Sequence, residues 1–295
     1  MKLSIVVASM ELAPLDTLLA VLKKEIGGEA IEVILAFSGR SELFTLAKSH
    51  GLKLVCVPCS TNLSIFEMRK IAFRTASGDF VACLGNRYTP RPGWINAIEP
   101  GNWDVLTGPV LPSMYRSPIS WSIFFAEYSH IKACLVPGTG GLQNPSLIPG
   151  GNVVYRRSLV ESVAETNEVA FHARLCADGN RFSQSDELTV EFASPPGWNE
   201  YIAERYWLSY EWGAQQALGH GKLGRLVLML SRFALPFLLM IRRSRYLVNS
   251  KIYRLRFVRA LPFLALYGFV EMIGEMSGMF RRKNRVRQTE PPCLH

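Results

Sequence analysis

A chain of 295 residues with 48% hydrophobic and 19% charged positions can bury a large core, which excludes a disordered or low-complexity protein. The formal charge of +9 is unevenly placed: residues 1–200 hold 17 Lys and Arg against 19 Asp and Glu, whereas residues 201–295 hold 16 against 5. A nearly neutral first part and a basic, apolar last third point to an anionic membrane surface as partner. They point away from nucleic acid, because the Arg clusters border apolar runs and no recognition motif accompanies them.

The opening run Leu3–Met10 is too short for the apolar stretch of a signal peptide. Its Leu3–Ala8 part has the continuous hydrophobicity of a strand buried on both faces. Leu15, Leu18, Leu19, Leu22 and Ile26 then recur at helical spacing, with Pro14 before them and Gly27-Gly28 after. Strands are expected at Ile31–Phe37, Leu52–Val57 and Phe80–Leu84, and helices at Ser41–His50 and Ser64–Ser77. Strand and helix alternate too closely for separate domains, so a doubly wound, mostly parallel α/β sheet is expected. Such sheets bind ligands beyond the carboxyl ends of their strands, here after Ala8, Phe37 and Leu84.

Six cysteines are scattered through apolar sequence and suit reduced thiols acting as small hydrophobes. Cys56-Val57-Pro58-Cys59 has redox spacing but closes a strand instead of opening a helix, and no second pair completes a zinc site. The stretch 85–200 is rich in Gly and Pro, with a strand-like piece at Trp103–Gly108 and a helix across Glu168–Ala177. Beyond Pro195-Pro196-Gly197 the character changes. Tyr201–Leu218 is aromatic and helical, and Leu223–Ile241 is apolar but for Arg225, Ser231 and Arg232, with Pro236 inside it. Phe257–Phe280 carries Pro262, Glu271 and Glu275, and basic clusters at Arg242–Arg245 and Arg281–Arg287 follow the two stretches. Charges and prolines leave neither stretch a clean span, so a hairpin in or on one leaflet is expected.

Several segments, in order, resemble the inverting glycosyltransferases of family 2, which have the GT-A fold. They are Leu3–Ser9, Arg69-Lys70-Ile71-Ala72, Ala76-Ser77-Gly78-Asp79 leading into Phe80–Leu84, Pro90 with Pro92-Gly93-Trp94, Pro149-Gly150-Gly151-Asn152, and the helix start at Glu168 before Gly179. The likeness covers roughly residues 1–195. It implies a nucleotide-sugar donor, a base carboxylate at Glu168 with Glu165 as its neighbour and competitor, and an acceptor side at Gly150, Gly151 and Asn152. Glu11, Arg69 and Asn86 fall where donor or acceptor contacts are expected. The same family's cell-surface members carry C-terminal membrane helices, which Phe269–Met279 resembles, implying a lipid-linked or other glycan acceptor.

Two departures stand out. No acidic residue follows the second strand, where Ala36-Phe37-Ser38-Gly39 stands, and the family's Asp-x-Asp metal element is replaced by Gly85-Asn86-Arg87-Tyr88. Hard divalent cations need anionic oxygen ligands, so no metal and no other cofactor is expected. Three readings of Arg87 remain open at this level: a permanent charge replacing the metal at the leaving diphosphate, a mark of a degenerate transferase that binds without turnover, or a solvated loop residue. The sequence thus divides into a GT-A-like domain at 1–197, a helical membrane-associated region at 198–280, and a basic tail at 281–295. The expected location is the cytoplasmic face of the cell membrane, peripheral or monotopic.

Overall fold

The computed structural model describes residues 2–11, 13–26, 31–38, 45, 51–61, 63–129, 140–142, 148–161, 163–165, 167–218, 220–244, 247 and 251–280. Two compact units emerge, one of residues 1–113 with 131–194, the other of residues 114–130 with 195–295. The helix expected at 41–50 lies outside the described residues apart from Thr45, and so does the basic tail 281–295.

The first unit is built on β1 (Leu3–Ser9), whose seven residues are all buried because it lies mid-sheet between β2 (Ile31–Ser38) and β4 (Phe80–Gly85). Both neighbours run parallel to it, as the unalternating apolar runs require, and β3 (Leu54–Cys59) extends the parallel set beyond β2. The polar residue in the centre of this set, Ser4, is buried with its hydroxyl donating to Glu32 at 2.5 Å and accepting from the Gly78 amide at 2.9 Å. A Cβ on Gly78 would lie 2.7 Å from the Ser4 nitrogen, so only glycine fits where the chain enters β4.

Helix α1 (Ala13–Glu25) connects β1 to β2, and α2 (Ile65–Thr75) precedes β4. α2 starts with a capping box in which Ser64 and Glu67 exchange hydrogen bonds, and it buries Phe66, Met68, Arg69, Ala72 and Phe73. Beyond β4 the short strands β5 (Tyr88–Pro90), β6 (Val105–Thr107) and β7 (Val110–Pro112) follow, then β8 (Gly140–Gly141) and β9 (Asn152–Arg156). β9 pairs antiparallel with β4, Leu84 opposite Asn152, which sets Gly150 and Gly151 beside the carboxyl end of β4. The one-turn α4 (Arg157–Val160), α5 (Glu168–Ala177), β10 (Phe182–Gln184) and β11 (Val190–Phe192) complete the unit. The main sheet has the order β3-β2-β1-β4-β9-β6-β10-β8, and β5-β11-β7 forms a separate three-stranded sheet. The chain therefore has a mostly parallel eight-stranded sheet with flanking helices, as the sequence leads one to expect.

The second unit is helical. α3 (Pro118–Tyr128), with Ser117 as cap and proline in its first turn, lies inside the segment whose composition reads as loop. Its Trp121 and Phe125 meet Tyr253, and Phe125 meets Phe257, so its apolar face is satisfied by helices that follow residue 194. α6 (Trp198–Gln216) packs along α9 (Arg254–Met279), where Tyr201 and Tyr267 are buried edge to face with centroids 4.7 Å apart. A Cβ on Gly213, Gly274 or Gly278 would fall 2.1, 2.6 or 1.9 Å from a backbone oxygen of the facing helix, so these glycines permit close contact of the two helix backbones. Between them come α7 (Lys222–Ser231), a 3₁₀ turn at Arg232–Ala234 and α8 (Leu235–Ser244). Pro236 has no amide to give the Arg232 carbonyl, and Leu235 N–H bonds that carbonyl instead, which tightens the turn.

Candidate active site

At the carboxyl ends of β1 and β4 the chain turns away from the sheet, and the two turns are tied together. The Asn86 amide donates to the Ser9 hydroxyl at 2.9 Å, which donates to the Glu11 carbonyl at 2.8 Å. Arg87 reaches Glu11 with Nη2 at 2.5 Å and the Ser194 carbonyl with Nη1 at 3.0 Å, while its own carbonyl accepts from Ala193 N–H at 3.0 Å. The Arg87 side chain is only 18% exposed. It is therefore not a solvated loop residue, and the last of the three sequence readings is corrected: residues 87 and 194 are joined, which spacing alone does not show.

A second group lies across β4. Asn167 caps α5 by accepting from Ala170 N–H at 2.9 Å, which leaves Glu168 in the first turn, where the helix dipole favours a carboxylate. From α2, Arg69 directs Nη1 to both Glu168 oxygens at 3.0 and 3.2 Å and to the Gly150 carbonyl at 2.9 Å. A Cβ on Gly150 would sit 1.6 Å from Glu168 Oε2, so the glycine leaves room for the carboxylate. The neighbouring Gly151 carbonyl accepts from Gly85 N–H at 2.8 Å. The Tyr88 ring fills the space over both Gly85 and Gly151, where a Cβ would come within 2.7 and 2.3 Å of it. Tyr88 thus bridges the two groups, a role with no sequence signal beyond its position after Arg87. The competitor Glu165 is engaged by Arg174 instead.

Beneath Glu168 is a buried polar layer of Arg69, Cys83, Tyr155 and His172. The Tyr155 hydroxyl and His172 Nε2 are 2.7 Å apart. Burial pushes the Cys83 thiol up to about 12, with Arg69 opposing and Glu168 adding to the shift. Burial also holds the His172 imidazole below its usual value, against the attraction of Glu168 and with a smaller push from Arg69. Burial disfavours the Arg69 charge, yet Glu168 together with Cys83, Tyr155 and Tyr88 outweighs it, and the guanidinium stands above its usual range.

Asn152 takes another place than the resemblance implies. Asn152 is fully buried; its Nδ2 donates to the Leu188 and Gly108 carbonyls at 2.7 and 3.1 Å, and its Oδ1 accepts from the Trp94 indole at 3.1 Å. Its carboxamide is consumed in joining β9 to neighbouring loops, so it is not available to a sugar hydroxyl. Trp94 is fully buried in the core. His172 is buried against Tyr155.

The residues at the end of β4 do not fit a divalent cation. Asn86 gives its amide to Ser9, Arg87 is itself a cation, and the nearest carboxylate, Glu11, is its partner. Among the described residues no three His, Cys, Asp or Glu side chains form a group able to hold a metal.

The sheet order, the helices on its faces and the ligand-side edge at β1 and β4 define a GT-A fold. Among solved structures the chain is similar to a mannosyltransferase from Pyrobaculum calidifontis in complex with GDP-Man and Mn²⁺, at TM-score 0.51 and 13% identity over 94% of this chain and 84% of that one. It is similar also to TarS from S. aureus, at TM-score 0.50 and 14% identity over 95% of this chain and 90% of that one. At these identities the likeness is one of fold. No family model matches the chain, and no curated protein matches it in sequence.

Proposed function

We propose that the chain is a glycosyltransferase of the hexosyltransferase type, moving a sugar from a nucleotide-sugar donor to a glycan or polyprenyl-linked acceptor at the cytoplasmic face of the membrane. The transfer inverts the anomeric carbon and uses Arg87 where relatives of this fold use a metal. One observation carries the reading: within a GT-A fold, a positioned carboxylate, Glu168, and a positioned guanidinium, Arg87, flank the end of β4 and are linked through Gly151, Gly85 and Tyr88.

In this reading Glu168 takes the proton of the acceptor hydroxyl as that oxygen bonds to the anomeric carbon. The bond from that carbon to the diphosphate breaks, its electron pair leaves with the diphosphate, and Arg87 meets the added charge. Arg69 positions the base, Gly150 leaves room for its carboxylate, and Gly151 leaves room for the Tyr88 ring. Glu11 repels a diphosphate, so donor binding requires Arg87 to exchange Glu11 for the phosphate oxygens.

The closed pairs Arg87–Glu11 and Arg69–Glu168 favour a second reading, a degenerate relative that acts as a binding or assembly subunit. Nucleotide-sugar hydrolysis and transfer separate the two. The transferase reading expects turnover that persists in chelator, falls about 10²-fold or more in Arg87→Ala, and is lost in Glu168→Gln. Nucleotide binding without turnover, unchanged by Glu168→Gln, selects the second reading. Neither binding nor turnover across a donor panel overturns both.

A further inference from the structure

The helical unit has an outer surface that the fold itself leaves bare. Along α7 and α8, Leu226, Val227, Leu230, Phe233, Phe237 and Ile241 are between 50% and 68% exposed. Only 6% of the most apolar window of Leu223–Ser244 is buried, against 39% for Arg254–Met279. Such a face on a soluble monomer is rare.

Arg232, inside this apolar stretch, and Arg243, just past it, turn the other way. Arg232 pairs with Glu275 at 2.7 Å and Arg243 with Glu271 at 3.0 and 3.1 Å, both acids lying on α9. Arg232 and Arg243 are therefore internal staples between α8, its preceding turn and α9. From Leu226 to Ile241 no charged side chain is exposed.

Charge also marks both ends of the hairpin. Arg242, Lys251, Arg254 and Arg259 are exposed at the turn. In sequence, Lys222 and Arg225 open the first apolar stretch and the run Arg281–Arg287 follows the second. A hairpin crossing the bilayer would carry one of these clusters to the far side, which basic segments resist. A hairpin lying in the interface keeps both at the same headgroups.

We infer that α7, α8 and α9 form an in-plane anchor, with the outer face of α7 and α8 sunk into one leaflet of an anionic bilayer and the basic ends on its headgroups. Lipid fits better than a second copy of the chain, because two copies would bring two strongly basic regions together. The inference rests on the proposed function only in placing the acceptor at a membrane.

The test uses the full chain and sealed vesicles of phosphatidylcholine, with or without phosphatidylglycerol. Binding is expected only with the anionic lipid, and it weakens with salt. Leu230→Glu, Phe237→Glu and Ile241→Glu together, all at exposed positions, lower binding at least tenfold while the circular dichroism and donor hydrolysis in solution stay unchanged. Trypsin added outside cuts bound protein both at Lys251–Arg254 and within Arg281–Arg287. Protection of the turn alone, lifted by detergent, would mean a crossing hairpin and overturn the inference. So would absence of vesicle binding, or a dimer in solution that the triple variant dissolves. None of these outcomes bears on donor turnover, which is assayed without vesicles and fails or succeeds by itself.

Discussion

Substituting Gly150 by Ala isolates the contact that holds the candidate base. The new Cβ would come 1.6 Å from Glu168 Oε2 and 2.2 Å from its Cδ, so the carboxylate must swing away from Arg69. Nothing in the backbone resists alanine, since Gly150 is not among the positive-φ glycines, and reduced chain entropy alone would add about 0.4–1 kcal/mol of stability. Against that stands Arg69 left as a buried cation without its acid, for which about 3–5 kcal/mol is typical when one partner of a buried pair is removed, the lost charge-assisted hydrogen bond included. The carboxylate is 23% exposed and finds water when displaced, which favours the lower end. The expected net loss is about 2–3 kcal/mol, read as a shift in urea midpoint at unchanged slope. The decisive comparison is the same substitution in a Glu168→Ala background. With the carboxylate gone, alanine at 150 has room, and its cost should vanish or turn slightly favourable. An undiminished cost in that background would refute the steric argument and the positioning role given to Gly150.

Three further outcomes follow from the same geometry. Asn152→Ala leaves the Trp94 indole and the Gly108 and Leu188 carbonyls without partners in the core, so about 3–5 kcal/mol should be lost in equilibrium unfolding. His172 is held below its usual 6.5 when folded, so the unfolded chain binds the extra proton more readily and stability should fall as pH drops below about 6.5; this slope should be smaller in His172→Gln when urea midpoints are compared across pH. Gly278→Ala drives a methyl to 1.9 Å from the Tyr210 carbonyl oxygen and should cost at least about 1–3 kcal/mol, seen as a lowered Tm of the helical unit.

Much of the sheet was legible because it depends on local pattern. Buried parallel strands need predominantly apolar runs, and Leu3–Ala8, Ile31–Phe37 and Phe80–Leu84 are such runs, broken only by Ser4 and Glu32, which bond each other. The helix α3 was missed because the Gly- and Pro-rich composition around it masks a clear start at Ser117-Pro118. The candidate site was half legible. Glu168, Arg69, Gly150, Arg87 and Glu11 stand where the resemblance puts functional residues, but their pairing spans 99 residues in one case and 76 in the other. No periodicity reports a contact of that range. Asn152 reads as a ligand by its neighbours in sequence and is a core hydrogen-bonding residue by its neighbours in space.

The charge distribution shows the same division. Sequence alone determined that residues 201–295 are basic and apolar together, since that is a matter of counting side chains. It could not determine which charges lie at the surface, because Arg232, Glu271 and Glu275 look alike as interruptions of an apolar run and Arg243 reads as one of a basic cluster. Tertiary structure decided it by bringing each acid on α9 against an arginine from the facing helices. In a pair buried together, mutual attraction offsets part of the desolvation cost that each charge bears, and the outer face from Leu226 to Ile241 is left without an exposed charge.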